Sequence, residues 1–207
     1  MTSIWVGERV RLRQVEPEDW SAYKEFDEYT DDQRTSWRVM PPRSAEGYRR
    51  WAMDRATAPH HDDNLELAVE SLEDKAPVGM VSVREADPRN GTFALGVAIG
   101  RPHQRRGYAT EAVLLVLRYL FGECRYQKCD VAVYADNRAS LALFQRLGFS
   151  LEGRRRRQHF HGGRYHDVDL LGLTVEEFAQ WWIAPDGELR ADNMSGTPGV
   201  PGDETPW

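Results

Sequence analysis

Residues 104–110 have the sequence Gln104-Arg105-Arg106-Gly107-Tyr108-Ala109-Thr110. They join a predicted strand, residues 93–99, to a predicted helix, residues 108–122. This arrangement directs several free backbone N–H groups to one place, where the helix dipole favours an anion. Gly107 lets a phosphate approach the backbone, and the small Ala109 keeps the helix start open. The loop lacks the Lys-Ser/Thr ending of a nucleotide-binding P-loop and the three glycines of a dinucleotide-binding loop. The segment therefore predicts a metal-free pyrophosphate site, with a plain tight turn as the alternative.

Apolar periodicity and turn residues divide the rest of the chain into strands and helices. Strands are predicted at residues 9–13, 65–70, 78–84, 93–99, 131–134, 151–157 and 167–174. Helices are predicted at residues 16–28, 44–58, 108–122, 140–147 and 175–183, whereas residues 31–43, around Trp37, are polar and irregular. This order predicts an α+β fold, a three-layer sandwich with one central mixed sheet of about seven strands and helices on both faces.

Length and composition predict one domain with an appendage. The chain has 207 residues, of which 41% are hydrophobic, enough for a substantial core. Residues 1–183 carry the strand and helix patterns. Residues 184–207 are acidic and rich in Gly and Pro, which is the composition of a tail.

The net charge argues against nucleic acid as a partner. The formal charge is −6 at pH 7, whereas affinity for nucleic acid depends on clustered Lys and Arg. Residues 154–157 are four consecutive arginines, but strand alternation places two of them on each face of a sheet. We therefore expect no nucleic-acid partner, and the mild acidity is compatible with a cationic substrate.

The two cysteines indicate the compartment rather than the chemistry. Cys124 and Cys129 are too few for a disulfide framework and have no metal-ligand neighbours in the sequence. The first residues contain no apolar segment of a signal peptide, and no stretch approaches a membrane span. We therefore expect a cytoplasmic protein with no metal and no membrane partner.

Three more motifs follow the loop along the chain. They are Asn137-Arg138-Ala139-Ser140, Leu147-Gly148-Phe149 and Glu152-Gly153. Together with Gln104-x-x-Gly107-x-Ala109, they resemble the acetyl-CoA-binding core of the GNAT superfamily of N-acetyltransferases. The resemblance is densest over residues 76–173, and the branch it most resembles contains the ribosomal-protein N-terminal and spermidine acetyltransferases.

The resemblance implies a GNAT-like sandwich that binds acetyl-CoA as an acyl-donor substrate. In that family, pantetheine lies between the strands that match residues 93–99 and 131–134. Its amides would be held by backbone groups near Val97 and Ile99. The pyrophosphate would bind the N–H groups of Gln104, Arg105, Arg106, Gly107, Tyr108, Ala109 and Thr110.

Each side chain implied at the coenzyme also has a plainer interpretation. Arg105 and Arg106 add charge beside the pyrophosphate, or are solvated loop residues. Asn137 hydrogen-bonds pantetheine, or belongs only to the first turn of its helix. Arg146 meets the ribose 3′-phosphate, or faces water.

The implied reaction is amide formation, in which a primary amine attacks acetyl-CoA directly within a ternary complex. A lysine-like ammonium has a pKa of about 10 and an α-amine one of about 8, so a base must remove a proton. Many GNAT members carry a glutamate where this chain has Ala94. Glu85 is the candidate base, and the alternatives on neighbouring strands are Glu66, His159, His161 and His166.

The candidate acid also departs from the common family pattern. Phe144 stands where many members have a catalytic tyrosine that protonates the departing thiolate. In the branch that this chain resembles, a serine of the Asn-x-x-Ser segment is the candidate instead, and Ser140 occupies that position. The alternative is that Ser140 only caps its own helix.

Two rival interpretations and the acceptor remain open at this point. Phe144 and Ala94 favour a catalytically silent CoA-binding module, and a longer acyl-CoA is a second choice of donor. The acceptor would be a small-molecule or peptide amine that enters beside the two N-terminal helices, the loop with Trp37, and the Gly162-Gly163 hairpin. Members of this branch often dimerise, so the resemblance also implies a homodimer.

Overall fold

The computed structural model describes residues 3–35, 39–58, 63–184 and 189. Trp37 and most of the predicted tail lie outside the described residues. The strands are β1 (Val10–Arg13), β2 (Leu65–Ser71), β3 (Pro77–Asp87), β4 (Thr92–Ile99), β5 (Lys128–Tyr134), β6 (Ser150–His161) and β7 (Arg164–Thr174). The helices are α1 (Trp20–Phe26), α2 (Thr30–Thr35), α3 (Ala45–Ala56), α4 (Tyr108–Gly122), α5 (Arg138–Arg146) and α6 (Val175–Trp182).

All seven strands belong to one mixed sheet. Their spatial order is β1-β2-β3-β4-β5-β7-β6. Neighbouring strands are antiparallel except for β4 and β5, which run parallel because α4 connects them as a crossover. The predicted α+β sandwich with a mixed sheet is confirmed.

Helices cover both faces of the sheet. Ala68 of β2 packs with Tyr23 of α1 and Ala52 of α3, whereas its neighbours Leu67 and Val69 belong to the larger cluster around α4. Successive strand residues point to opposite faces. Therefore α1 and α3 cover one face, and α4 covers the other together with α6, which shares its cluster.

The first turn of α4 is fixed to the N-terminal segment by one buried carboxylate. Glu111 is 1% exposed and accepts backbone N–H groups from Glu8 (2.7 Å), Arg9 (2.8 Å) and Val10 (2.7 Å). Gly7 makes this approach possible, because a Cβ there would lie 2.5 Å from the Glu111 carboxyl carbon. The chain just before β1 therefore wraps around the start of α4.

A helix forms where the sequence predicted irregular chain. α2 is polar throughout and has no buried residue, so it carries no apolar periodicity. Charge pairs hold it instead. Arg34 pairs with Asp31 within the helix, and Asp32 accepts from Arg101 Nη2 at 2.8 Å. This second contact ties α2 to the end of β4.

The last hairpin is longer than the sequence predicted. β6 and β7 continue to His161 and Arg164, where Gly162 and Gly163 both have positive φ angles, +56° and +81°. Two such residues form the turn that matches strand twist in a tight hairpin. The extension is polar, which explains why apolar alternation did not reveal it.

The chain contacts the domain beyond the predicted boundary at residue 183. Leu189 packs against the main core and forms an antiparallel bridge with Ile183. The division into residues 1–183 and 184–207 stays a prediction, and Leu189 is a described contact on the tail side of it.

We expect Glu111→Gln to destabilise the fold by about 3 kcal/mol, because hydrogen bonds to a buried carboxylate are stronger than those to an amide. Urea unfolding followed by circular dichroism measures the change. The exposed Glu123→Gln, at the other end of α4, is the control and should shift stability by less than about 0.5 kcal/mol. Equal effects for the two variants would show that the three contacts contribute nothing specific.

Candidate active site

A wedge-shaped gap separates β4 from β5. These parallel strands pair only between residues 92–94 and 128–130. From Leu95 to Ile99, β4 has β3 as its partner among the described strands, and from Val131 to Tyr134, β5 has β7. Each strand therefore presents one edge of backbone N–H and C=O groups to the gap. Such edges are suited to an extended ligand that carries amide groups.

The loop at the open end of the gap has the conformation of an anion site. Gly107 is the N-cap of α4 with φ +81°, and no side chain caps the helix. Arg105 also has a left-handed backbone, with φ +63°. Left-handed residues in such turns direct consecutive N–H groups to one side, and the first helical N–H groups have no intrahelical partners. The predicted start of the helix at Tyr108, after Gly107, is confirmed.

Two predicted coenzyme residues use their side chains to hold the loop. Gln104 Nε2 donates to the Ile99 carbonyl oxygen at 3.0 Å, so this carbonyl at the end of β4 is already engaged. Tyr108 is 5% exposed, and its hydroxyl lies 3.4 Å from Ser71 Oγ inside the core. Only backbone groups of Tyr108 are therefore available to a ligand at the loop.

Three arginines surround the loop, and sequence reasoning missed one of them. Arg105 and Arg106 are exposed, as predicted for loop residues. Arg9 is the third: a Cβ built on Gly107 would lie 3.0 Å from Arg9 Nη1. The contact between Arg9 N–H and Glu111 holds this arginine in place across 102 residues of sequence. No local motif signals a contact of that range.

The start of α5 separates two interpretations of the Asn137 segment. Asn137 is the N-cap, and its Oδ1 accepts the Ser140 N–H at 3.1 Å. The alternative in which Ser140 caps the helix is therefore wrong. Ser140 is half-buried in the first turn, three residues from Asn137 and thus on the same side of the helix. Its hydroxyl is left for another role.

The remaining predicted residues differ in how deeply they are buried. Val97 is half-buried on β4, opposite Val81 of β3. Ala109 and Thr110 are half-buried in the first turn of α4, and Arg146 is exposed at the end of α5. Phe144, one turn after Ser140, is buried against the ring of Phe149 and belongs to the core.

Glu85 lies beside the closed end of the gap rather than its open part. The register between β3 and β4 shifts after the Arg84–Ala94 pair, and Glu85 sits in this bulge with φ +52°. Its side chain is exposed. Ala94 is also the last residue of β4 that pairs with β5. The structure thus gives Glu85 no position along the diverging edges.

A histidine cluster lies where β5 ends. The rings of His161 and His166 stack with centroids 3.6 Å apart and an angle of 12°. His166 Nδ1 is 2.9 Å from Asp136 Oδ2, and the ring of Tyr134 contacts both histidines. Burial, followed by the charge of Asp136, raises the pKa of Tyr134. A cavity of about 470 Å³ is lined by Arg34, Asp136, His161, Gly162, Arg164 and His166.

The Cys129 thiol is enclosed in the core rather than exposed to the gap. Cys129 is fully buried in the core, and burial raises the pKa of its thiol well above the ordinary value. A thiol held in the protonated form is a poor nucleophile. In the described part of the chain, no group of three His, Cys, Asp or Glu side chains is arranged to hold a metal ion, and no helix is long and apolar enough to cross a membrane.

Two parallel strands thus diverge, with an uncapped helix start at their mouth, which is an arrangement suited to an extended ligand with an anionic group. Residues 9–150 match the acetyltransferase (GNAT) domain family. The chain belongs to this GNAT family and is an N-acetyltransferase that transfers an acetyl group to an amine.

Individual proteins agree with this assignment. The chain is 37% identical to the SPbeta prophage-derived uncharacterized N-acetyltransferase YokL of Bacillus subtilis, over 85% of this chain and 96% of that protein. It is 27% identical to the spermidine N(1)-acetyltransferase of Escherichia coli K12, over 58% of this chain and 63% of that protein. The fold matches the spermidine N-acetyltransferase of Vibrio cholerae, solved with CoA and spermine, with a TM-score of 0.70, 21% identity and coverage of 82% and 97%.

We expect Gly107→Asp to weaken CoA binding at least about tenfold, because a carboxylate would stand against the pyrophosphate at a backbone position that disfavours side chains. Isothermal calorimetry measures the affinity. Gly163→Asp is a matched control, since Gly163 has the same φ of +81° and a Cβ there meets nothing within 4 Å. Unchanged affinity in a folded Gly107→Asp protein would place the coenzyme elsewhere.

Proposed function

We propose that acetyl-CoA lies in the gap between β4 and β5, and that a primary amine attacks its thioester directly. The observation that carries this proposal is the divergence of the two strands after three paired residues, with the uncapped start of α4 at the mouth. The edge of β4 near Val97 would hold the pantetheine amides. The N–H groups from Gln104 to Thr110 would hold the pyrophosphate.

Positive charge around the loop supports this placement. Arg9, Arg105 and Arg106 would surround the pyrophosphate, and Arg146 would contact the 3′-phosphate. A pyrophosphate bound by backbone N–H groups at a helix start and by arginines needs no metal ion to balance its charge.

The reaction requires a neutral amine, a stabilised oxyanion and a stabilised thiolate leaving group. The amine nitrogen forms the new C–N bond while the carbonyl electrons move to oxygen, and unpaired N–H groups on the edge of β4 would stabilise this oxyanion. The C–S bond then breaks and CoA leaves as a thiolate. Ser140, whose hydroxyl does not cap α5, would donate a hydrogen bond to that sulfur.

We expect Ser140→Ala to lower kcat by tens of fold while CoA affinity and the melting temperature barely change. A hydroxyl is a weak acid, so its hydrogen bond to sulfur is worth on the order of 10²-fold at most. The control is Asn137→Ala, which removes the observed cap and should lower stability by about 1 kcal/mol. An unchanged kcat in Ser140→Ala would remove the serine from the mechanism.

The charge of the cavity beside the histidines supports a monoamine as the acceptor. Arg34 and Arg164 both line it, whereas Asp136 is the carboxylate among the described lining residues. Asp136 already contacts His166 Nδ1 at 2.9 Å and Arg164 Nη2 at 3.4 Å. A polyamine needs several counter-charges for its ammonium groups. We therefore propose an amine with a neutral or anionic body, such as a peptide N-terminus.

Release of free CoA thiol, measured across an amine panel, tests both parts of this proposal. We expect kcat/KM for a monoamine or an N-terminal peptide to exceed that for spermidine by at least about tenfold. Preference for spermidine would contradict the monoamine assignment. Tight CoA binding without turnover of any amine would instead favour the silent module, for which the buried Phe144 is the supporting observation.

A further inference from the structure

The cavity that contains the histidine pair lies beside the end of β5, where the gap is open. One side of the cavity is lined by Asp136, which comes two residues after Tyr134, the last residue of β5. Its opposite wall is Arg34 of α2, the helix that Asp32 fastens to Arg101 just after β4. The cavity is therefore bounded by elements attached to both sides of the gap.

The His161 imidazole stacks on His166, but one of its nitrogens, Nε2, is buried without a hydrogen-bond partner among the described residues. Native proteins satisfy nearly all such atoms, and exceptions often have a functional reason. The ring itself is only half-buried and lines the cavity, where an incoming molecule can reach it.

We propose that His161 is the general base that takes the proton from the acceptor amine, and that His166 and Asp136 are positioning residues for its ring. This inference rests on the proposed function, since it concerns the same acetyl transfer. It replaces Glu85, which sits beside the closed end of the gap.

The stacked neighbour explains how the base is positioned. Asp136 Oδ2 fixes one nitrogen of His166, and the other nitrogen lies 3.2 Å from the His161 carbonyl oxygen and 3.4 Å from Arg164 Nε. With both nitrogens in contact, His166 presents a fixed flat face. His161 lies on that face at 3.6 Å, and its orientation is set by stacking rather than by a hydrogen bond.

The surroundings favour the neutral, proton-accepting form of His161. Burial lowers the pKa of His161, followed by its charge interaction with His166, while Asp136 acts in the opposite direction. The charged and titratable groups that face the ring from the packed elements are Arg34, Tyr134, Asp136, Arg164 and His166. A base of lowered pKa is unprotonated at neutral pH and is ready to accept a proton.

The proposed step is balanced within the reaction already described. The acceptor ammonium transfers one proton to Nδ1 of the His161 imidazole, because Nε2 is buried and out of reach of a molecule in the cavity. The freed nitrogen lone pair forms the C–N bond to the thioester carbonyl carbon, and the C–S bond breaks. The nitrogen loses its second proton to the departing thiolate, which gives the amide and the CoA thiol. The imidazolium then returns its proton to water, and no oxidant, reductant or metal is consumed.

His161→Gln tests the assignment by comparing two acceptors that differ in basicity. The first is the best alkyl amine from the panel, and the second is its fluorinated analogue, which is already neutral at the assay pH. We expect His161→Gln to lower kcat/KM for the alkyl amine by about 10²-fold. The loss for the analogue should be less than about threefold, because its nitrogen carries no ammonium proton that must be removed before attack.

His159→Gln is the matched control, since His159 also contacts Tyr134 but does not line the cavity. It should change neither acceptor's rate, and CoA affinity and melting temperature should stay the same in both variants.

The wild-type rate with the alkyl amine should fall as pH drops through the lowered pKa of His161. This acidic limb of the pH–rate profile should vanish in His161→Gln.

Equal losses for the two acceptors would overturn the base assignment and leave His161 a structural role. If His161→Gln does not fold, His161→Asn takes its place, and the same comparison of the two acceptors tests the base assignment. Failure of the wild-type protein to acetylate any amine would overturn the proposed function itself, and this inference with it.

Discussion

The Glu111 carboxylate holds together the two parts of the chain on which the site depends. It binds three consecutive N–H groups at the start of β1 and lies in the first turn of α4. One contact therefore fixes the start of the helix that would face the pyrophosphate and also brings Arg9 beside Gly107. Because the carboxylate is buried, water cannot replace it, and the loop geometry depends on this anchor.

The gap between β4 and β5 follows from topology rather than from any single residue. β4 pairs with β3 on one side, and β5 pairs with β7 on the other, so the two strands belong to different halves of the sheet. The α4 crossover makes β4 and β5 parallel to each other. Both carboxyl ends then point the same way, which is where open α/β sheets bind ligands. The loop before α4 and the start of α5 both lie at this edge. The N–H groups proposed for the pyrophosphate and the candidate acid Ser140 therefore belong to two different helices.

Local signals made much of this predictable, and long-range contacts did not. The loop around Gly107 and the α4 helix were read correctly, because their glycine, small residues and apolar run act within a few positions. α2 was missed because charge pairs, not apolar burial, hold it. The cap at Asn137 could not be told from one at Ser140, since both types cap helices.

Contacts that depend on the pairing register of two strands could not be predicted from the sequence either. His161 and His166 meet across a two-glycine turn, and a one-residue slip would turn one ring to the other face of the sheet. The sequence named both histidines as alternatives for the base but could not say that they stack. Arg9 needed the Glu111 contact across about a hundred residues before it could be placed near the loop.

The short pairing between β4 and β5 also divides the sheet mechanically. β1–β4 and β5–β7 are two antiparallel half-sheets, joined edge to edge by only three residue pairs. A molecule whose amides bond along both free edges would lengthen that join and act as an extra strand. Occupancy of the gap then stabilises the folded chain by mass action. Acetyl-CoA bound where we propose would join the two half-sheets along the edges at which β4 and β5 do not pair.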